Sequence, residues 1–205
     1  MIPVGTPLKS IPVGGLSNAG FLFAGLLRAL SFVSQLGIVH LDISPRNLIL
    51  KDRRLILIDW GCAGVAGELT SYEGAMVCAS DSVLKAFGEE PFGSTKVSFT
   101  VNPSDDISSV LKVACAMMVP GALSILNELR SRLGSGNAFP KDVLLTWERV
   151  WKLPGAENFM FDNLDDESHE RVAHKLVKLS LEVVERDLDE DLTTQMAELE
   201  PFSRS

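Results

Sequence analysis

The sequence predicts a mostly helical α+β domain with one or two small β-hairpins, and three observations support this fold class. Apolar residues recur at intervals of three and four in several segments, as on the buried face of a helix. Two short β-type runs, 48–50 and 55–58, are separated by four charged residues, which is typical of a hairpin. Hydrophobic residues make up 46% of the 205 residues, which is sufficient for a buried core.

The first elements can be placed from their boundary residues. Residues 1–16 are rich in Pro and Gly and predict extended or turning chain. Ser17 or Asn18 can cap a helix that runs to about Leu36, and Gly37 ends it. The apolar face of this helix is expected to pack under the loop that follows it.

The predicted hairpin brings two polar residues together. Asn47 comes directly before its first strand, and Asp59 comes directly after its second strand. Antiparallel pairing places these two positions at the same end of the hairpin. A metal ion shared by the two side chains is therefore geometrically natural.

The remainder of the chain is predicted to be mainly helical. A loop over 62–78 leads to a short helix, a second loop covers 88–103, and Ser104 is the expected cap of the helix after it. The predicted helices in chain order are 79–87, 105–119, a segment ending near Leu133, 140–152, and a last helix capped near Asp165. The domain is predicted over 1–160, with an acidic C-terminal helix and a frayed tail over 161–205.

Charge and cysteine content limit the class of protein. The net charge of −8 lies in residues 161–205, which hold five basic and thirteen acidic residues, whereas residues 1–160 hold fourteen of each. This balance argues against nucleic acid and anionic membrane as partners. Three unclustered cysteines show no zinc or disulfide pattern and favour a reducing compartment, the cytoplasm or nucleus. The apolar stretch 19–39 carries Arg28 near its middle, so we predict neither a signal peptide nor a transmembrane helix.

Three polar residues form the candidate site. The carboxylate of Asp42 lies five residues before the carboxamide of Asn47, and the carboxylate of Asp59 follows an apolar run and precedes a glycine. Phosphoryl transfer uses such a set, because one group receives the proton of the acceptor hydroxyl and two oxygen donors hold Mg²⁺.

These residues resemble the C-terminal lobe of the protein kinase family. His40-Leu41-Asp42 is similar to the His-Arg-Asp catalytic loop of that family, Asn47 falls at its metal-binding Asn, and Asp59-Trp60-Gly61 is similar to Asp-Phe-Gly. Ala79-Ser80-Asp81 is similar to the Ala-Pro-Glu of the family, and Asp105 is similar to the Asp that opens the central helix and supports the loop. Residues 1–16, which begin Met1-Ile2-Pro3-Val4-Gly5, resemble the hinge between the two lobes.

The resemblance implies a fold, roles and partners. The fold would be a protein-kinase-like C-lobe, helical with small hairpins around the catalytic loop. Asp42 would be the catalytic base, Asn47 and Asp59 would bind the Mg²⁺ of Mg²⁺-ATP, and His40 would be structural. The acceptor would be Ser or Thr of a protein, and another protein could cover the inter-lobe face.

The sequence departs from the family pattern in ways that affect activity. Leu41 replaces the Arg that pairs with a phosphorylated activation segment, and Ser44 replaces a phosphate-contacting Lys. Residues 1–41 contain no Asp or Glu and neither a glycine-rich loop nor a Val-Ala-Ile-Lys strand. The N-terminal lobe is therefore missing from this sequence, so we expect no tight ATP binding and negligible activity of residues 1–205 alone.

Two alternative functions remain open at this point. One is a non-catalytic, pseudokinase-like binding module. The other is a small-molecule phosphotransferase of the aminoglycoside or choline type, because those enzymes share the Asp-x-x-x-x-Asn loop and resemble Ile58-Asp59-Trp60. Thr70, Ser71 and Tyr72 are expected to be solvated loop residues, and Cys62 is expected to be an inert buried thiol.

Overall fold

The fold is known from a computed structural model that describes residues 5–8, 19–89, 97–161 and 168–181. It is mostly helical, as predicted, and its helices surround one central, buried helix, α3. The helices are α1 Ala19–Gln35, α2 Asp81–Glu89, α3 Pro103–Met118, α4 Ala122–Gly134, α5 Pro140–Val150 and α6 over 169–181.

Short strands form three small antiparallel sheets in the described part of the chain. The strands are β1 Thr6–Pro7, β2 Ile38–Val39, β3 Leu48–Lys51, β4 Arg54–Leu57, β5 Gly64–Val65, β6 Leu69–Ser71 and β7 Ser98–Thr100. The sheets have the orders β1-β3-β4, β2-β5 and β6-β7. Single 3₁₀ turns lie at Trp60–Cys62, Met76–Cys78 and Ala156–Phe159.

The central helix α3 is buried on all sides, from Asp105 to Met117. Its N-cap is Asn102, whose side chain accepts from the Ser104 N–H at 2.9 Å, while the Asp105 carboxylate accepts from the Asn102 N–H at 2.9 Å. The predicted cap, Ser104, was wrong by two residues. Pro103 explains the error, because proline fits the first position of a helix, where its missing N–H costs nothing.

Helix α1 and the hairpin agree with the predictions. Gly37 adopts φ 73° after α1, a left-handed conformation that suits glycine at a helix end. The hairpin pairs Leu48 with Leu57, and its two turn residues, Asp52 and Arg53, both have positive φ. Two left-handed residues in a two-residue loop match the twist of the flanking strands, which fixes the register.

The short strands β5, β6 and β7 were not predicted, because two or three residues are too few to show strand periodicity. The predicted helices agree with α2 and α5 within about two residues at each end, and the predicted helix end near Leu133 agrees with the end of α4. Val172 and Leu176 are fully buried on α6, as its predicted face requires. The predicted cap Asp165 and the tail after 181 lie outside the described residues.

Helix α6 packs closely on α1 at Gly20. A side chain at this position would overlap the Ser180 hydroxyl and the Leu176 carbonyl of α6. Among the described residues no single helix is long and apolar enough to cross a membrane, although α3 and α4, bent by 116°, together meet those two criteria.

Candidate functional site

The loop from His40 to Asn47 is anchored to α3 by Asp106. This buried carboxylate accepts a hydrogen bond from the His40 N–H at 2.8 Å and another from the Leu41 N–H at 3.0 Å. Leu41 has φ 62°, an unfavourable conformation for a leucine that these bonds help to hold. Burial raises the pKa of Asp106 to about 7, against the two backbone hydrogen bonds, which lower it.

Sequence reasoning expected Asp105 to support the loop, and this was wrong. Asp105 points to the other side of the helix start, where it accepts from the hydroxyls of Ser80 and Ser82 and closes the cap at Asn102. It therefore ties α3 to the start of α2, while its neighbour Asp106 ties α3 to the loop.

His40 links the loop to the end of β4. Its Nδ1 accepts from the Asp42 N–H at 3.2 Å, so its Nε2 carries the proton and donates to the Ile58 carbonyl at 3.1 Å. The Trp60 ring packs edge-on against it with 4.6 Å between ring centroids. Burial lowers the pKa of His40, so the imidazole is neutral and structural.

Asp42 and Asn47 are in direct contact. One carboxylate oxygen of Asp42 accepts from the Ala75 N–H at 2.6 Å, and the other accepts from Asn47 Nδ2 at 2.6 Å. Asn47 Nδ2 also donates to the Asp42 carbonyl at 2.9 Å. The carboxylate and the carbonyl of Asp42 are both acceptors, so the group of Asn47 that contacts them is its NH₂. The amide oxygen of Asn47 therefore remains available to another ligand.

Asp59 lies at the same end of the hairpin as Asn47. The Ile58 N–H donates to the Asn47 carbonyl at 3.0 Å, one residue beyond the last strand pair. Asp59 has φ 64° and its side chain is exposed. The predicted placement of Asn47 and Asp59 is therefore what the structure has.

The oxygen donors fit Mg²⁺ in part. Carboxylate and amide oxygens are the hard ligands that this ion prefers, and Mg²⁺ commonly takes only one or two protein ligands plus phosphate oxygens. No cluster of three His, Cys, Asp or Glu suited to a metal occurs in the described residues. The Asn47 amide oxygen and the Asp59 carboxylate thus suit an ion that arrives with phosphate groups, not a closed protein cage.

Tyr72 was expected to be a solvated loop residue, and this was wrong. It is only 7% exposed, between the rings of Phe87 and Phe99, and its hydroxyl donates to the Ala75 carbonyl at 3.3 Å. Burial raises its pKa above the ordinary value. Tyr72 therefore positions Ala75, whose N–H holds Asp42, a role that no local sequence signal indicates.

Two further residues complete the comparison with the sequence. Asp81 does reach a basic partner, since it accepts from Lys112 Nζ at 2.6 Å. Cys62 is half-buried. Its pKa is raised mainly by burial and further by the negative charges of Asp42 and Asp59, which agrees with an inert thiol.

A pocket of about 620 Å³ is lined in part by Ala75, whose N–H holds Asp42, and was not expected. It lies between the loop segment 44–46, the segment 74–78 and helix α4. Its charged lining residues are Arg46 and Arg130, which lie far apart in sequence, so no motif marks the pocket.

The comparisons with known proteins bear on the fold of the chain. No protein-family model matches the chain. The chain is 39% identical to casein kinase II subunit alpha' of Saccharomyces cerevisiae over 54 residues. This match covers 25% of the chain and 16% of the yeast protein. The solved kinase PK-1 of Cydia pomonella granulovirus aligns with a TM-score of 0.55 and 17% identity, covering 86% of this chain and 60% of that one.

The chain thus spans less than two thirds of either relative. The structural likeness extends over most of the chain, whereas the sequence likeness is local. The chain has a protein-kinase-like fold.

Proposed function

We propose that this chain carries out the acceptor side of protein-kinase-type phosphoryl transfer, with ATP as donor and Ser or Thr of a protein as acceptor. The observation that carries the proposal is the fixed Asp42 carboxylate, held by the Ala75 N–H and by Asn47 Nδ2. In this proposal residues 1–160 correspond to the C-terminal lobe of the kinase fold. The likeness to a viral protein kinase supports this type over a small-molecule phosphotransferase.

Each site residue has a role that follows from its contacts. Asp42 orients the acceptor hydroxyl and accepts its proton, because both of its oxygens keep a lone pair beyond the bonds that fix them. Asn47, through its amide oxygen, and Asp59 hold Mg²⁺, which neutralises phosphate charge when bound. His40 and Asp106 keep the loop in place and take no part in the chemistry.

The chain by itself is expected to be a very poor kinase. Residues 1–41 contain no acidic side chain, so the Lys–Glu pair that grips the nucleotide phosphates cannot form there. Positioning supplies much of the catalysis of phosphoryl transfer, and half of the positioning groups would have to come from outside residues 1–205. A radiolabel-transfer assay with Mg²⁺-ATP on residues 1–205 is expected to give negligible signal. Robust transfer that disappears in Asp42→Ala would contradict this expectation and confirm the base.

The metal-binding half of the proposal can be tested without activity. Mn²⁺ replaces Mg²⁺ and broadens nearby amide signals in NMR spectra, so addition of Mn²⁺-ADP should broaden the amides of Asn47, Asp59 and Gly61. Asp59→Asn should abolish this broadening. Asp52→Asn is the matched control, because Asp52 is also exposed and left-handed but lies at the other end of the hairpin. Equal broadening in wild type and Asp59→Asn would refute the metal role of Asp59.

A non-catalytic binding module is the second candidate, favoured by an exposed apolar edge. Phe32 on α1 is 66% exposed, and Leu36, directly after the end of α1, is 64% exposed. Ile38 and Val65, which pair across β2 and β5, are also exposed. A protein partner that binds there would bury this edge. Light scattering should then show self-association that Phe32→Gln reduces. A monomer that stays monomeric at high concentration would count against this function.

A further inference from the structure

A small cavity at the start of α2 is separate from the candidate site. It has a volume of about 90 Å³ and lies between Asp81, the middle of α3 and the segment 159–161. None of the candidate site residues Asp42, Asn47 and Asp59 lines it. A cavity of this size has room for several water molecules or for a polar group of a few heavy atoms.

The apolar wall of this cavity is aromatic and held in place by its neighbours. Trp151, Phe159 and Phe161 form this wall. The Trp151 ring packs on Trp147 with 4.9 Å between ring centroids, and the Lys175 ammonium lies 4.1 Å from the Phe161 ring centroid. Side chains that are already held lose little further conformational freedom when a ligand binds.

The hydroxyl of Ser108 is an unpartnered polar group in the cavity wall. Ser108 is 8% exposed and lines the cavity, and its hydroxyl forms no hydrogen bond within the described part of the chain. Its oxygen keeps some accessible surface, which the enclosed hydroxyls of Ser44 and Ser180 lack. A buried hydroxyl without a partner is unfavourable, and a ligand that bonds to it would relieve that cost.

Two charged residues of the same cavity have unused hydrogen-bonding capacity. Lys112 Nζ donates to the Ala79 carbonyl and to one carboxylate oxygen of Asp81, each at 2.6 Å. An ammonium has three N–H donors, so one donor of Lys112 remains. The second carboxylate oxygen of Asp81 accepts no hydrogen bond from the described residues, and its side chain is 52% exposed.

The polar groups of the cavity fit a neutral ligand that both donates and accepts. The lining holds one basic and one acidic side chain, which offset each other. A carboxylate would be repelled by Asp81, and a cation would be repelled by Lys112. A carboxamide avoids both repulsions, because its oxygen can accept from Lys112 while its NH₂ donates to Asp81. The Ser108 hydroxyl can add a bond to either end of the amide, since a hydroxyl donates and accepts.

We propose that this cavity binds a primary carboxamide, carried either by an Asn or Gln side chain of a polypeptide or by a free small molecule. The amide is held by Lys112, Asp81 and Ser108, and the carbon atoms next to it pack on Trp151 and Phe161. The site is distinct from the candidate phosphoryl-transfer site, and the inference does not depend on that function.

The test uses three probes of one shape and different charge. Isobutyramide is neutral, isobutyrate is an anion and isobutyramidinium is a cation. Each is titrated into the ¹⁵N-labelled 205-residue chain, and the indole N–H signal of Trp151, assigned with Trp151→Phe, is followed by NMR. Isobutyramide should shift this signal saturably and bind about 5-fold more tightly than either ion. The indole of Trp60, which packs against His40, is the internal control and should not shift.

Two pentapeptides identify the source of the amide. They carry a central Gln or a central Glu between glycines, and their ends are capped without primary amides. Tighter binding of the Gln peptide than of isobutyramide would identify a polypeptide as the ligand. Weaker binding of the Gln peptide than of isobutyramide would identify a free small amide.

Substitutions assign the binding to the cavity. Ser108→Ala should weaken isobutyramide binding several-fold, and it should leave the fold intact because the hydroxyl has no partner among the described residues. Ser109→Ala is the matched control, since Ser109 is the next residue of α3, is 5% exposed and does not line the cavity. Asp81→Asn replaces an acceptor by a donor and should shift the preference from isobutyramide to isobutyrate, a change that unfolding cannot produce.

Several results would overturn the inference. These are no saturable shift of the Trp151 signal, equal affinity for the three probes, and a preference of the unmodified chain for isobutyrate or isobutyramidinium. Isobutyramide binding that Ser108→Ala and Ser109→Ala affect equally would also overturn it, as would a preference for isobutyramide that persists in Asp81→Asn.

Discussion

The two adjacent carboxylates at the start of α3 give the sharpest prediction. Both are about 3% exposed, but Asp106 accepts from two backbone N–H groups, of His40 and Leu41, whereas Asp105 accepts from two serine hydroxyls and one backbone N–H. An Asn side chain replaces one acceptor oxygen by an NH₂ donor. Serine hydroxyls can reverse and accept from that NH₂, but a backbone N–H cannot.

The magnitudes follow from this difference. In Asp106→Asn the new NH₂ group would stand opposite one of the two backbone N–H groups, so that N–H would lose its acceptor. This should lower the free energy of unfolding by at least about 1–3 kcal/mol. Asp106→Ala removes both acceptors and should cost about 2–6 kcal/mol. Asp105→Asn should cost less than about 1.5 kcal/mol, because its amide oxygen can serve Asn102 while its NH₂ donates to Ser80 and Ser82.

Urea denaturation at pH 8.5, where Asp106 is ionised, measures all three variants. Amide chemical shifts provide a second readout, since only the Asp106 variants should move the signals of His40, Leu41 and Asp42. The reasoning would be refuted if Asp105→Asn cost as much as Asp106→Asn, or if it moved the loop signals equally.

Three further predictions concern stability. Gly20→Ala should destabilise the protein by several kcal/mol, because the added methyl group would overlap α6. Gly25→Ala lies in the same helix but meets open space, so it should stabilise the protein by about 0.5–1 kcal/mol. Thermal melts in which Gly20→Ala is the more stable variant would contradict the close packing of α6 on α1. Asp81→Asn should cost about 2–3 kcal/mol, because the buried Lys112 ammonium would lose its countercharge and keep only the Ala79 carbonyl as acceptor; the value is reduced because Asp81 is 52% exposed. Lys112→Met in the same chain should recover much of this loss, and a double-mutant cycle with no coupling would contradict the reasoning. The folded state binds more protons than the unfolded state between the ordinary Asp106 pKa of 3.8 and its folded value of about 7. Wild-type stability should therefore fall as pH rises through that window, a slope that Asp106→Asn should lack, and parallel pH curves would contradict the raised pKa.

The elements that were predictable have strong local signals. The hairpin follows from two β-type runs with a short charged turn, and α1 follows from its apolar face and from Gly37. Because the turn fixes the register, the meeting of Asn47 and Asp59 at one end of the hairpin was predictable as well. For the candidate site, therefore, the residue identities and the hairpin geometry came from local chemistry.

The groups that hold the site together were not predictable in the same way. The N–H of Ala75 carries no side-chain signal, and Tyr72 is buried only because Phe87 and Phe99 meet it from distant segments. Asp105 and Asp106 are chemically identical neighbours, so only the three-dimensional start of α3, which Pro103 sets, decides which one faces the loop. The pocket between Arg46 and Arg130 likewise joins two segments that no spacing rule connects.

The anchoring of the loop by Asp106 also bears on the order of folding. A hairpin such as β3–β4 forms locally, on the order of microseconds, but the bond from His40 to Asp106 closes a sequence separation of 66 residues. A chain that has emerged from the ribosome as far as residue 62 contains Asp42, Asn47 and Asp59, but neither the amide of Ala75 nor the carboxylate of Asp106. The geometry of the candidate site can therefore arise only after α3 has been made and has docked, so a correctly formed loop reports that the central helix is in place.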